Sequence, residues 1–159
     1  MTPSERSALI ESYGAAWSQL KSTLSDLPKE MWTFKPAPNR WSVHEIIVHL
    51  ADSEVNSYVR CRCLIAEPDK LIMAYDQDQW ATRLRYHDQS TDDALELFRC
   101  LRQSSYKLLK TLPEETWKNT IMHPEIGTMA FEYWLQIYAG HIPGHISQMR
   151  GNLAAWKNK

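Results

Sequence analysis

Apolar residues recur every three or four positions in four windows of the chain, and no window alternates apolar and polar residues for long. This spacing places the apolar side chains on one face of an α-helix, whereas alternation would indicate a strand. In the first window the stripe consists of Leu9, Tyr13, Trp17, Leu20, Leu24 and Leu27. We therefore predict a first helix over residues 4–26, with Ser4 as its N-cap and Pro28 just beyond its end.

The second window begins at "SVHE", where Ser42 can cap a helix and Glu45 can complete a capping box. Its periodic pattern runs to about residue 67, and Pro68 ends it. The following residues, 68–89, show little periodicity. A loop of this length is usually either mobile or functional.

The last two windows predict a third and a fourth helix. The motif "STDDALELFRCL" starts the third at Ser90, with two acids that suit a helix N-terminus, and its stripe reaches Leu112. The fourth begins near Thr128 and keeps helical spacing as far as Trp156. "LPKEMW" at 27–32 recurs as "LPEETW" at 112–117, each time after a long helix. Two related hairpins predict an all-α four-helix bundle with long inter-helix loops, in a single domain over 1–159.

One stretch of the fourth window, "HIPGHISQMR", contains a proline where a helix should continue. A proline in a helix interior costs about 3 kcal/mol because it lacks an N–H and crowds a carbonyl one turn earlier. The apolar spacing nevertheless passes through Pro143 without a change of register. We predict a continuous helix with a local kink at 139–144.

Three of the six histidines are candidate metal ligands. His141 and His145 are four residues apart and would share a helix face, from which both imidazoles can reach one ion. His49 lies well inside the second helix between apolar residues, so it also faces the bundle interior. His44, in a first helical turn, and His87 and His123, in predicted loops, look like ordinary polar positions.

Two readings of these three histidines remain open. They are either a metal site or buried imidazoles that hydrogen-bond to the backbone and to Asp52 or Gln148. If metal is bound, the same Asp52 and Gln148 are the candidates for orienting the ligand imidazoles.

Composition and charge limit the kinds of partner that the protein is expected to bind. The chain has 159 residues, 43% of them hydrophobic, which suffices for a core without disulfides. The 18 basic and 19 acidic residues leave a formal net charge of −1, and no basic patch predicts nucleic-acid binding. No signal sequence or membrane span is evident, so we expect a soluble cytoplasmic protein with no membrane partner. Cys61, Cys63 and Cys100 are expected to be reduced structural thiols.

The sequence resembles the DinB/YfiT-like superfamily of small metal-binding four-helix bundles over nearly its whole length. The likeness is sharpest in "RWSVHEIIVHLADSEVNSYVR", "AYDQDQWA" and "HIPGHISQM", and it is nearest to the YfiT branch of metal-dependent hydrolases. The resemblance implies that His49, His141 and His145 bind a divalent metal, zinc or nickel. Related families transfer low-molecular-weight thiols such as bacillithiol, mycothiol or glutathione. This chain departs from the branch in having Ile-Pro-Gly between the paired histidines.

These inferences predict a metal-dependent enzyme acting on a small molecule. It is either a hydrolase, in which the ion activates water, or a low-molecular-weight-thiol S-transferase, in which the ion holds a thiolate. The alternative is a non-catalytic, damage-responsive metal-binding bundle. The chain has 7 Trp and 7 Tyr, and aromatic residues are enriched at protein–protein interfaces, so we expect a homodimer. The candidate substrate-binding residues are Asn56, Arg60 and Tyr138 on the inner helix faces, and Tyr75, Asp76 and Trp80 in the long loop.

Overall fold

Four long helices form most of the chain in the computed structural model, which describes residues 1–159. A short helix and a two-stranded hairpin occupy two of the connections. In chain order the elements are α1 (Pro3–Asp26), α2 (Val43–Ala66), α3 (Gln77–Arg83), α4 (Thr91–Leu109), β1 (Thr120–His123), β2 (Gly127–Ala130) and α5 (Phe131–Lys157). The all-α four-helix bundle is confirmed, with α1, α2, α4 and α5 as its helices.

Side-chain caps fix where the helices begin. Ser42 and Glu45 form the predicted capping box of α2, in which each side chain accepts a hydrogen bond from the other residue's backbone N–H. At α1 the cap is Thr2, paired with Glu5 in a second capping box, so Ser4 was the wrong choice. Ser90 caps α4 as predicted, accepting from the backbone N–H of Asp93.

Two regions differ from the predicted loops. The segment 68–89 contains α3 and a 3-10 turn, both too short to show a periodic pattern. Residues 120–130 form an antiparallel hairpin in which Ile121 pairs with Met129, and Gly127 has a φ of 73° at its turn. Because β2 takes residues 127–130, α5 begins at Phe131 rather than near Thr128. The third long helix also ends earlier than predicted, at Leu109.

The helices pack so that α1 and α2 each contact both α4 and α5, which puts α1 and α2 at opposite corners. At the α1–α4 contact Gly14 faces Tyr106, and a Cβ on Gly14 would lie 2.5 Å from the tyrosine ring. Glycine is therefore required there by close packing. Ile46, Ile142 and Ile146 belong to one apolar cluster of the core, and Leu64 and Trp134 belong to the other.

The helix α5 runs without interruption through Pro143, as predicted. Pro143, Gly140 and Gly144 are exposed, and an added Cβ on either glycine would meet nothing within 4 Å. Burial of inward residues such as Trp134 and Ile142 therefore holds this part of the helix together. The local kink stays a prediction. No helix in the structure combines the length and the apolar character needed to cross a membrane.

Candidate metal centre

Three histidines from two helices converge inside the bundle. His49 comes from α2, while His141 and His145 come from successive turns of α5. One potential ligand atom from each histidine lies within 4.8 Å of the others. The Nε2 atoms of His141 and His145 are 3.1 Å apart, and the His49 ring centroid is 4.9 Å from that of His145 and 5.5 Å from that of His141. The structure thus brings together all three of the predicted ligands.

Burial keeps these imidazoles neutral. It lowers the pKa of His49 to about 3, with a further contribution from His145. It lowers the pKa of His141 to about 2, and the neighbouring His145 and His49 add to the effect. Burial also lowers the pKa of His145, against an opposing hydrogen bond to Gln148. Neutral imidazoles keep a lone pair for a metal ion at neutral pH.

The residues present fit a divalent metal. His49 is only 1% exposed, and neither of its ring nitrogens has a hydrogen-bond partner. A buried polar atom without a partner costs about 1–3 kcal/mol, so a native core normally supplies one. A metal ion held by the three histidines would take up the lone pair of His49 that no protein group satisfies. Three imidazoles are a common ligand set for zinc and also suit nickel.

The two candidates for orienting the ligands have different partners. Gln148 lies one turn beyond His145, and its Oε1 is 2.9 Å from Nδ1 of that histidine. Asp52 instead accepts a 2.6 Å hydrogen bond from the hydroxyl of Tyr86, and it makes none to His49. The assignment of Asp52 to His49 was therefore wrong, because the 3-10 turn containing Tyr86 provides the carboxylate with a closer partner.

Three of the predicted substrate-binding residues lie together next to the histidines. Asn56 is buried on α2 and donates to the carbonyl of Asp52. Arg60, one turn further along α2, donates to the hydroxyl of Tyr138 at 3.2 Å. The Tyr138 ring packs edge-on against His141, with centroids 6.0 Å apart. A polar surface therefore extends from the histidines along the interior of the bundle.

The long loop contributes two of its three predicted residues to this region. Tyr75 is partly buried, stacks against Trp80 with ring centroids 4.6 Å apart, and lies close to Ser53 of α2. Asp76 is exposed and caps α3, accepting from the backbone N–H groups of Asp78 and Gln79. Capping therefore accounts for Asp76 in this structure, and its predicted substrate contact stays a prediction.

Trp41 is a site residue that the sequence reasoning did not single out. Its ring lies 4.6 Å from the His49 ring, centroid to centroid, and its carbonyl accepts from the buried side chain of Asn152 in α5. Its position in the sequence could have indicated this contact. Trp41 immediately precedes the Ser42 cap, and a residue there packs against the first turns of the helix.

A cleft of about 190 Å³ opens beside the histidines. His145 and Gln148 belong to its lining, which consists mostly of polar side chains from three segments of the chain. The lining residues are Asn39, Arg40, Trp41, Ile46, Gln77, Asp78, His145, Gln148 and Asn152. A small molecule can therefore approach the histidines from solvent.

The remaining histidines and the cysteines lie outside the centre. His44 contacts the carbonyl of Gln89 at 2.9 Å, while His87 is exposed. His123 is buried in β1 rather than in a loop. All three cysteines are free thiols, and burial raises the pKa of Cys61 to about 12, so it is no nucleophile.

This fold and site together define a class of protein: a helical bundle whose facing helices project histidines inward to form a candidate divalent-metal centre. Comparison with known families gives the particular family. Residues 12–149 match the DinB superfamily, so this chain belongs to the DinB superfamily.

Similar proteins agree with this assignment. A protein of Oceanobacillus iheyensis named "Putative metal-dependent hydrolase" is 32% identical over 82% of this chain and 75% of its own length. A protein of Halalkalibacterium halodurans with the same description is 27% identical over 75% of this chain and 69% of its own. The solved structure of YfiT from Bacillus subtilis, described as a probable metal-dependent hydrolase with an unusual four-helix bundle topology, superposes with a TM-score of 0.87. That alignment covers 96% of this chain and 87% of YfiT at 23% identity, and it supports the fold.

Proposed function

We propose that this protein is a metal-dependent hydrolase of a small molecule, with a divalent ion, zinc or nickel, held by His49, His141 and His145. The observation that supports this most directly is the pair of buried His49 nitrogens without a partner, next to two other neutral imidazoles. The names of the similar proteins support hydrolysis as the chemistry.

When bound, the ion would supply Lewis acidity toward water and toward a substrate carbonyl or similar group. The protein's own residues prepare the site for it. When Nδ1–H of His145 donates to Oε1 of Gln148, the tautomer is fixed and the Nε2 lone pair faces the other histidines. Trp41 packs against His49, and the Tyr138 ring packs against His141, so two sides of the centre are closed to bulk water.

Transfer of a low-molecular-weight thiol is the second chemistry that this ligand set can support. Because no cysteine belongs to the histidine cluster, the thiol would have to be a co-substrate that enters from solution. The two reactions therefore differ in a simple requirement, since hydrolysis proceeds without thiol and transfer does not.

The first experiment is elemental analysis of protein purified without an affinity tag. We expect about one equivalent of zinc or nickel per chain, and His49→Leu as a matched variant should lose it. Less than about a tenth of an equivalent, with no uptake on titration, would contradict the metal site.

The second experiment separates the reactions. The metal-loaded protein is incubated with esters and amides, with or without glutathione or bacillithiol, and product is measured against His49→Leu. Thiol-independent cleavage supports hydrolysis, and thiol-dependent loss of an electrophile supports transfer. Metal binding without turnover of either panel would favour the non-catalytic bundle.

A further inference from the structure

A buried polar stripe runs along α2 from the metal centre. His49, Ser53, Asn56 and Arg60 are spaced four, three and four residues apart, so they share one helix face. Their exposed fractions are 1%, 5%, 7% and 9%. Inward positions of a bundle helix are ordinarily apolar. A polar side chain at every turn indicates a surface built to face something polar.

Arg60 is the only member of this stripe that carries a charge at neutral pH. Its Nη1 donates to the Tyr138 hydroxyl at 3.2 Å and its Nη2 donates to the carbonyl of Met73 at 3.0 Å. Its Nε is buried and has no partner. No carboxylate lies within ion-pairing distance of its guanidinium.

The other two buried arginines each have a counter-ion, which Arg60 lacks. Arg6 pairs with Glu132 at 3.0 Å and also with Glu114, and Arg102 pairs with Glu54 at 2.6 Å. Each of them has a carboxylate as counter-ion, as buried charges normally do. Arg60 is 9% exposed, against 5% for Arg6 and 1% for Arg102, and it donates only to neutral oxygen atoms. A ligand carboxylate would complete its environment.

The position of Arg60 sets the size of such a ligand. Eleven residues of helix separate the Cα atoms of His49 and Arg60 by about 16 Å. Long helical side chains lean toward the helix N-terminus, so the guanidinium lies nearer to the histidines than its Cα does. Tyr138 bridges the two, since its hydroxyl accepts from Arg60 and its ring contacts His141. A ligand that contacts both places would have to extend along this part of α2.

We propose that the substrate carries a carboxylate that binds the guanidinium of Arg60 while its reacting end lies at the three histidines. This assignment rests on the proposed metal-dependent function. Asn56, Ser53 and Tyr138 around the stripe are uncharged, so the charge of one carboxylate matches that of the Arg60 guanidinium. A phosphate dianion would leave a buried negative charge without compensation.

The test uses the protein loaded with cobalt and two series of thiol probes. One series consists of mercaptoalkanoates with two to ten methylene groups, and the other consists of mercaptoalcohols of the same lengths. Binding of the thiolate to cobalt is followed by its charge-transfer absorption. At the best chain length we expect the carboxylate to bind roughly 10- to 100-fold more tightly than the alcohol, the range for a hydrogen bond to a charged group.

Variants assign this preference to one side chain. Arg60→Gln should abolish the preference for carboxylate while thiol binding to cobalt remains, and Arg60→Lys should restore part of it. Arg62→Gln is the matched control, because Arg62 lies two residues away and donates to Ser104 and Ser105. Circular dichroism confirms that each variant is folded. Equal binding of acids and alcohols by the wild type would overturn the proposal.

A second experiment on metal-free protein tests the carboxylate site independently of the metal centre. The melting temperature of the metal-free protein is measured with 3-phenylpropionate, 3-phenylpropanol and 3-phenylpropyl phosphate. Stabilisation by the carboxylate alone, lost in Arg60→Gln, supports the anion site even if cobalt fails to bind. Cobalt binding without any carboxylate effect would leave the metal centre standing and remove the anion site. Stronger stabilisation by the phosphate would show that the class of anion is wrong.

Discussion

Two buried polar clusters lie close together in this bundle, and they differ in whether the buried arginine has a counter-ion. In the first, Glu54 accepts from Tyr13 at 2.7 Å and pairs with Arg102 at 2.6 Å, with both charged side chains 1% exposed. Arg102 also donates to the carbonyl of Tyr138 and stacks over the Tyr13 ring. We call this group the Glu54–Arg102 cluster. It is neutral overall, and it joins α1, α2, α4 and α5.

The second cluster consists of the three histidines and the α2 stripe that ends at Arg60. It contains two imidazole nitrogens without partners and a guanidinium without a counter-ion. The contrast teaches that buried polarity has two uses in one interior. A cluster whose charges are paired connects helices, whereas a buried charge without a counter-ion and an imidazole without any partner indicate a ligand.

The largest effect should come from breaking the Glu54–Arg102 cluster. We expect Arg102→Met to reduce the free energy of unfolding by about 3–5 kcal/mol, because Glu54 is left as a buried charge without a counter-ion. Urea denaturation of the metal-free protein measures it. The double variant Glu54→Leu with Arg102→Met should recover much of the loss. A single variant as stable as the wild type would show that the pair is not structural.

Replacing one of the three histidines should lower the affinity for metal without lowering the stability of the fold. His49→Leu should weaken zinc binding roughly 100-fold or more, about 2.7 kcal/mol, measured by competition with a chelator. The free energy of unfolding of the metal-free protein should stay equal or rise, since two unpaired buried nitrogens are replaced by an apolar side chain of similar size. A large loss of stability with unchanged zinc affinity would instead support ordinary core histidines.

Replacing Gln148 should lower the zinc affinity by an intermediate amount and change the stability of the fold little. We expect Gln148→Leu to weaken zinc affinity by about 10- to 100-fold, because His145 loses the acceptor that orients it. Gln136→Leu is the control, an exposed glutamine on the same helix. If both variants bind zinc alike, the contact between Gln148 and His145 plays no part in metal binding.

The smallest expected effect concerns the hydrogen bond between Tyr86 and Asp52. Tyr86→Phe removes the hydrogen bond to Asp52 and should cost about 1 kcal/mol of unfolding free energy while zinc affinity is unchanged. Thermal unfolding and zinc titration of the same preparation check both. A drop in zinc affinity would mean that Asp52 acts on the centre after all.

The sequence alone predicts the long helices and the three histidines well, because both depend on spacing along one helix. Ser42 with Glu45, and His141 with His145, are local pairs that the helix geometry fixes. The partners of Asp52 and Arg102 lie 34 and 48 residues away, so they depend on how the helices and loops pack. The hairpin at 120–130 has four-residue strands, which are too short for alternation to be recognised.

The turn of α5 around Pro143 bears on how an ion reaches so buried a site. Pro143 cannot donate a helical hydrogen bond, and Gly140 and Gly144 beside it add the flexibility of residues without side chains. This turn should open more often than the rest of α5, and its amide hydrogens should exchange sooner. Because His141 and His145 belong to it, each opening exposes two ligands to solvent. The rates of metal uptake and release would then follow the opening of this turn, and Gly140→Ala with Gly144→Ala should slow both.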